Sequence, residues 1–217
     1  MIINYKYSLL FLSSILKATT ALKTYNKCVN PGDFALVINN GLNLQTTNKI
    51  LDILDKENIK ATFFIDAQNE NIISSDPLAK NIIEREYKNG HIISGQINAQ
   101  EIVSNKELEK KINKFNDYIY NIIGVKPAFF RSPYAITNAS TLDVLEKCNI
   151  NANVVWNLYS ERQYKNILNN NIDSIIALNQ DLPSQATIIN LLKLINHAKK
   201  LGYNFVTMDK CLELEPY

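Results

Sequence analysis

Residues 28–42, CVNPGDFALVINNGL, decide the fold. Their centre, FALVIN at 34–39, is an apolar, β-rich run that reads as a strand delivering Asn39, Asn40 and Gly41 at its carboxyl end. Outward from it the same alternation repeats. Helical spacing follows over 46–57, with Ile50, Leu51, Ile53 and Leu54 on one side. ATFFID (61–66) is the next strand, 77–88 the next helix, and HIISG (91–95) a third strand. The amphipathic stretch 105–123 carries Leu108, Ile112, Phe115, Ile119 and Ile122 at helical spacing. AFFR (128–131), a helix over 140–148, NVVWNL (153–158), SIIAL (174–178), a helix over 186–200 and NFVTM (204–208) complete the pattern. Such an alternation predicts a mostly parallel sheet, as a (β/α) barrel or an open doubly wound sheet. In both, chemistry sits at the carboxyl ends of the strands.

The 217 residues are 46% apolar and 20% charged, with six Gly and six Pro. That balance suits one domain with a sizeable core and excludes disordered, collagen-like and coiled-coil classes. Residues 1–21 read as a secretory signal: Lys6 leads, SLLFLSSIL (8–16) is a short apolar run, and Thr19-Thr20-Ala21 supplies small residues for cleavage. The run is shorter than the roughly 20 residues that span a bilayer, and no transmembrane anchor is expected at either end. Residues 22–217 then form the single mature domain. Loss of Lys6 and Lys17 from 23 basic residues leaves 21, matching the 21 acidic ones. A neutral chain has no basic footprint for nucleic acid.

Secretion permits disulfides. Cys28, Cys148 and Cys211 allow three single bridges. Cys28–Cys211 is the expected one: it would staple the two termini, and in the chain-entropy model is worth about 5 kcal/mol. Cys148, at the end of a helix, reads as a buried thiol.

The strand ends carry Asn39-Asn40-Gly41, Gln96 and Gln100, Arg131-Ser132-Pro133-Tyr134, Trp156 to Tyr159, and Asn179-Gln180-Asp181. The set is polar but almost all neutral. Of the two histidines, His91 at a strand start reads as structural and His197 in the last helix as solvated or capping. Asp33, Asp66 and Asp181 are the acids nearest the strand ends. Trp156, inside an apolar run, reads as core. Asn138-Ala139-Ser140 is a glycosylation sequon or a helix N-cap, and the sequence leaves both open.

The order and spacing of these pieces resemble the polysaccharide deacetylase (NodB-homology, chitin deacetylase-like) family over nearly all of the mature chain. CVNPGDFALVINNGL is similar to its opening C-x-x-P-G-x-x-A-L-T-F-D-D-G-P. NGHIISGQINAQ is similar to G-H-E-I-G-x-H-x-x-x-H, and GVKPAFFRSPYA to G-x-x-P-x-x-F-R-P-P-Y-G. LDILDKENIKATFFIDAQ, VVWNLYSERQY, SIIALNQD and the ending LGYNFVTMDKCLELEPY match further family segments. The resemblance implies a distorted (β/α) barrel. It also implies an Asp-His-His zinc site, an Asp general base, a His general acid, and deacetylation of N-acetylglucosamine polymers such as chitin.

Carried over position by position, the catalytic set departs from that pattern. The base position is Asn39 and the metal positions are Asn40, Gln96 and Gln100. The acid position is Asn179, and two further acidic positions are Tyr159 and Arg162. Gly41, Arg131, Pro133 and Tyr134 are retained. Zinc takes Cys, His, Asp or Glu, and a general base must titrate near working pH; amides do neither. No metal and no cofactor are therefore expected. Asn39, Asn179, Tyr159 and Arg131 are not expected to catalyse, and Tyr134, Asn40, Gln96, Gln100 and Tyr159 remain as substrate-binding candidates. The expectation is a secreted, catalytically inactive deacetylase-like protein of an extracellular wall or coat that binds chitin or a related glycan. The alternatives are a purely structural wall protein and an atypical metal-dependent deacetylase.

Overall fold

The computed structural model describes residues 22–97, 104–132, 138–159 and 173–217. The expected signal segment, Gln100, Pro133, Tyr134 and Arg162 lie outside the described residues. Among those described, nine strands form one sheet: β1 (Thr24–Tyr25), β2 (Asp33–Asn39), β3 (Thr62–Asp66), β4 (Ile92–Gln96), β5 (Phe129–Arg131), β6 (Ala152–Val154), β7 (Leu158–Tyr159), β8 (Ile175–Gln180) and β9 (Asn204–Val206). Their order is β1-β6-β5-β4-β3-β2-β8-β7, every pair is parallel, and the sheet curls into a distorted (β/α) barrel. β8 follows one edge of β2 from Phe34 to Asn39, so the other edge is shared: β9 pairs with Asp33–Ala35 and β3 with Val37–Asn39.

Seven helices are described: α1 (Thr47–Glu57), α2 (Glu70–Ser75), α3 (Pro77–Lys88), α4 (Asn105–Ile123), α5 (Ala139–Lys147), α6 (Gln185–Lys200) and α7 (Met208–Leu212). None is long and apolar enough to cross a membrane. Their ends follow local chemistry. Asp76 caps α3 by accepting from Leu78 N at 2.8 Å, with Pro77 at the first helical position. Gly124, at φ 79°, ends α4 in the left-handed conformation that a C-terminal turn needs. Asn138 caps α5, its Oδ1 accepting from Thr141 N at 2.8 Å.

Alternation along each strand sorts side chains into two cores. Phe34, Leu36 and Ile38 of β2, with Phe63 and Ile65 of β3, face the helices and pack on Ile50, Leu54, Ile82, Ile112 and Leu194. Ala35, Val37, Phe64, Phe129, Val154 and Ile176 point the other way and fill the barrel. Met208, Cys211 and Leu212 of α7 pack into this inner core, and Met208 N donates to Thr62 Oγ1 at the start of β3 at 3.1 Å. The same helix carries the Cys28–Cys211 disulfide, which ties the amino-terminal approach of β2 to the carboxyl terminus. Cys148 is a buried thiol.

NVVWNL is not one strand. β6 lies between β1 and β5, whereas β7 pairs with β8 across the barrel, so residues 155–157 leave the sheet to cross between them. Asn157 holds the crossing: its Nδ2 donates to Ser174 O at 2.9 Å and its Oδ1 accepts from Ile176 N at 2.9 Å. Trp156 is therefore half-buried over the inner core rather than a strand residue within it. NFVTM likewise stops as strand at Val206, and Met208 begins α7.

Candidate functional site at the barrel mouth

The inward positions continue past the apolar layers to the strand ends. The residues two beyond Val37, Phe64, Phe129 and Ser94 on the inner face are Asn39, Asp66, Arg131 and Gln96, all buried. On β8 the register sets Val37 beside Leu178, Ile38 beside Asn179 and Asn39 beside Gln180. Gln180 thus takes the inner position next to Asn39, while Asn179 stands on the side of helix-facing Ile38. Tyr159 pairs in register with Leu178, on the inner side, and is half-buried.

Asn40 leaves β2 in the left-handed region at φ 57°, which asparagine tolerates better than most residues. The turn brings Gly41 N to Phe64 O at 3.2 Å. A Cβ at Gly41 would sit 2.9 Å from Phe63 Cδ1, so only glycine permits this approach.

Three of the predicted site residues join in series. Arg131 Nη2 donates to Gln96 Oε1, and Gln96 Nε2 donates to Asn40 Oδ1 at 2.6 Å. The guanidinium carbon lies 5.4 Å from the Trp156 ring centroid and 5.8 Å from that of Phe64. Val37, Val154, Ile176 and Leu178 complete an apolar floor beneath it. Burial pushes the Arg131 pKa down to about 10, with Asp66 pulling it the other way. Arg131 stays charged at neutral pH. Its Nη1 and the Asn39 Oδ1 are buried without a hydrogen-bond partner among the described residues.

The acids of the region do not gather. Asp33, at the opposite end of β2, accepts from Asn204 Nδ2 at 2.9 Å. Asp181 accepts from both the Thr46 and Thr47 hydroxyls at the start of α1. Asp66 Oδ1 accepts from Gln68 N at 3.0 Å. Among the described residues no group of three His, Cys, Asp or Glu is placed to hold a metal ion. His91 is buried far from the mouth, its Nδ1 accepting from Ala61 N at 3.0 Å, and burial pushes its pKa down to about 4. The sequence did not disclose the Arg131 stack on Trp156 or the Asp181–threonine pair, because both cross between distant segments.

The curled parallel barrel is shared with solved structures. The chitin deacetylase of Colletotrichum lindemuthianum superposes with a TM-score of 0.76 at 22% identity, covering 89% of this chain and 93% of that one. A family 4 carbohydrate-esterase pseudoenzyme from Bacillus anthracis superposes at 0.71 and 17% identity, covering 88% and 69%. In sequence, the Colletotrichum chitin deacetylase is 27% identical over 86% of this chain and 82% of its own length. The peptidoglycan-N-acetylglucosamine deacetylase of Bacillus cereus is 26% identical over 85% and 70%. The chain spans between 29% and 82% of the lengths of the curated relatives it matches. The polysaccharide deacetylase family model matches residues 26–153, and the chain belongs to that family.

Proposed function

We propose that this protein is a non-catalytic, glycan-binding member of the polysaccharide deacetylase family that works at an extracellular wall or coat. The observation that carries the reading is the bond from Gln96 Nε2 to Asn40 Oδ1. Two positions that the family resemblance assigns to metal ligands are neutral amides engaged with each other. They do not fit zinc, which takes anionic or imidazole donors. Asn39, at the position of the general base, has no proton to exchange near working pH. The amides instead keep hydrogen-bonding capacity without burying uncompensated carboxylates, which would be costly where no cation balances them.

The relatives' names, chitin deacetylase and peptidoglycan-N-acetylglucosamine deacetylase, support a wall polysaccharide as the ligand. The Cys28–Cys211 disulfide supports an oxidising, extracellular setting. The test pairs two assays on the same preparation: acetate release from chitohexaose and from peptidoglycan with added zinc or cobalt, and retention on insoluble chitin and peptidoglycan. The expected result is retention without acetate release. Metal-dependent turnover would overturn the non-catalytic reading, and failure to be retained on either polymer would favour a purely structural role.

A further inference from the structure

Parallel strands that start at staggered heights leave donors open at their amino ends, because the first amides have no neighbouring strand to bond. β4 is such a strand. Ile92 N donates to Ala61 O toward β3 at 3.1 Å, so Ile93 N points to the other edge, which β5 joins only from Gly95. The acceptor it meets there is Tyr217 Oη, at 3.0 Å. Ala128 N, just before β5, donates to Pro216 O at 2.9 Å, and Asn151 Nδ2, just before β6, to Glu215 O at 3.0 Å. Residues 215–217 thus lie across the amino ends of β4, β5 and β6. α7 covers the neighbouring strand starts: Met208 N donates to Thr62 Oγ1 of β3, and Val29 N, ahead of β2, donates to Cys211 O at 2.8 Å. Together they close the end of the barrel opposite the amide rim.

This plug has little hold of its own. α7 spans only Met208–Leu212, too short to be a stable helix by itself. Glu213, which ends it, holds φ 57°, a left-handed conformation that is costly for a residue with a Cβ. Burial of Met208, Cys211 and Leu212 must offset the conformational entropy lost in ordering residues 208–217, of which Glu213 and Glu215 stay exposed. The Cys28–Cys211 bridge adds a fixed post. Ser174 Oγ, buried just before β8, donates to Cys28 O at 2.8 Å, which ties Cys28 to the sheet independently of the plug. A bridge to that post keeps residues 212–217 close to the donors they serve, and a short tether re-closes at little entropic cost. Without the bridge the tether runs back to β9, which ends at Val206.

We infer that α7 and residues 213–217 form an oxidation-latched plug in the barrel. It is shut while Cys28 and Cys211 are bridged, and opens as a unit, ahead of the rest of the fold, when they are thiols. Latching joins the two sulfurs: each thiol gives up a proton and an electron, and a small disulfide such as oxidised glutathione takes them up and leaves as two thiols. The latch holds whether or not the opposite rim binds a glycan. Hydrogen exchange of the full chain tests it. The amides of Ile93 and Ala128 report the plug, and those of the β2–β8 ladder report the whole fold. In the oxidised chain both sets should be protected alike. In the chain refolded with its thiols kept reduced, Ile93 and Ala128 should exchange at least about tenfold faster than the ladder, and without the urea dependence that the ladder shows.

Matched protection in the reduced chain would overturn the latch, because the bridge would then act only on the fold as a whole. A reduced chain that does not fold would overturn it for the same reason, and so would an equal gap already present in the oxidised chain. Tyr217→Phe, made with the bridge intact, keeps the ring against Tyr87 and removes the acceptor of Ile93 N. It should release the Ile93 amide and leave that of Ala128 protected. Release of both would show that the bridge does not hold the plug, and this comparison needs only the oxidised chain.

Discussion

Gln96 Nε2 and Asn40 Oδ1 lie 2.6 Å apart, joining the end of β4 to the turn after β2 across the intervening β3. Gln96 is itself fully buried and is the side-chain hydrogen-bond partner of Arg131. Gln96→Leu keeps the size and removes both bonds, leaving a buried guanidinium without an acceptor. The expected cost is about 2 kcal/mol, read as a lower urea midpoint with an unchanged slope. A midpoint equal to that of the unaltered protein would mean the series contributes nothing to stability.

Glu86 on α3 is 0% exposed, and neither carboxyl oxygen has a hydrogen-bond partner among the described residues. Burial, and then the negative charge of Asp181, hold its pKa well above the usual carboxylate range. Because the folded value exceeds the unfolded one, its contribution is full below about pH 4.5 and is lost as pH rises through the folded value. His91 acts in the opposite direction: its folded value of about 4 lies below the ordinary histidine value of 6.5, so stability falls as pH drops through that window. The two are separated by comparing thermal unfolding of the unaltered chain with Glu86→Gln from about pH 4 to about pH 9. The glutamine variant should gain relative stability toward high pH. Parallel curves would show that Glu86 does not titrate differently on folding.

The Cys28–Cys211 bridge closes 183 residues of sequence separation. Cys28→Ser together with Cys211→Ser should lower stability by roughly 2–5 kcal/mol, seen equally when the unaltered protein is unfolded under reducing conditions. Cys148, whose thiol burial pushes up to about 11, should resist alkylation in the folded state and react once per chain after denaturation. Two or more reactive thiols without reductant would contradict the bridge.

Gly95 on β4 faces the rings of Phe130 and Phe115, which a Cβ would overlap. Gly95→Ala should destabilise by about 1–3 kcal/mol through overpacking, measured by thermal melting. A melting temperature unchanged or raised would show that the rings can withdraw.

Much of the fold was legible in local pattern. The helices at 77–88 and 105–123 begin and end where spacing, Asp76-Pro77 and Gly124 place them. Strand limits were less legible: β4 runs one residue later than HIISG, bringing Gln96 into the ladder beside Arg131. NVVWNL looked continuous because Val155 and Trp156 are as apolar as their neighbours. The bonds that break it come from Asn157 to β8, outside any local window. At the rim, amides were readable by residue type, whereas the position of Asn179 beside Ile38 and of Gln180 beside Asn39 follows only from pairing with β2.

The sequence by itself determined which segments become strand or helix, and that neutral side chains line most of the strand ends, because periodicity and residue chemistry are properties of neighbours along the chain. Only the tertiary structure decided which two of three cysteines meet, and that Arg131, Gln96 and Asn40 form one series. Those partners are 183, 35 and 56 residues apart. Contact at such separations is set by how a curled sheet stacks its edges, a geometry that no short stretch of residues encodes.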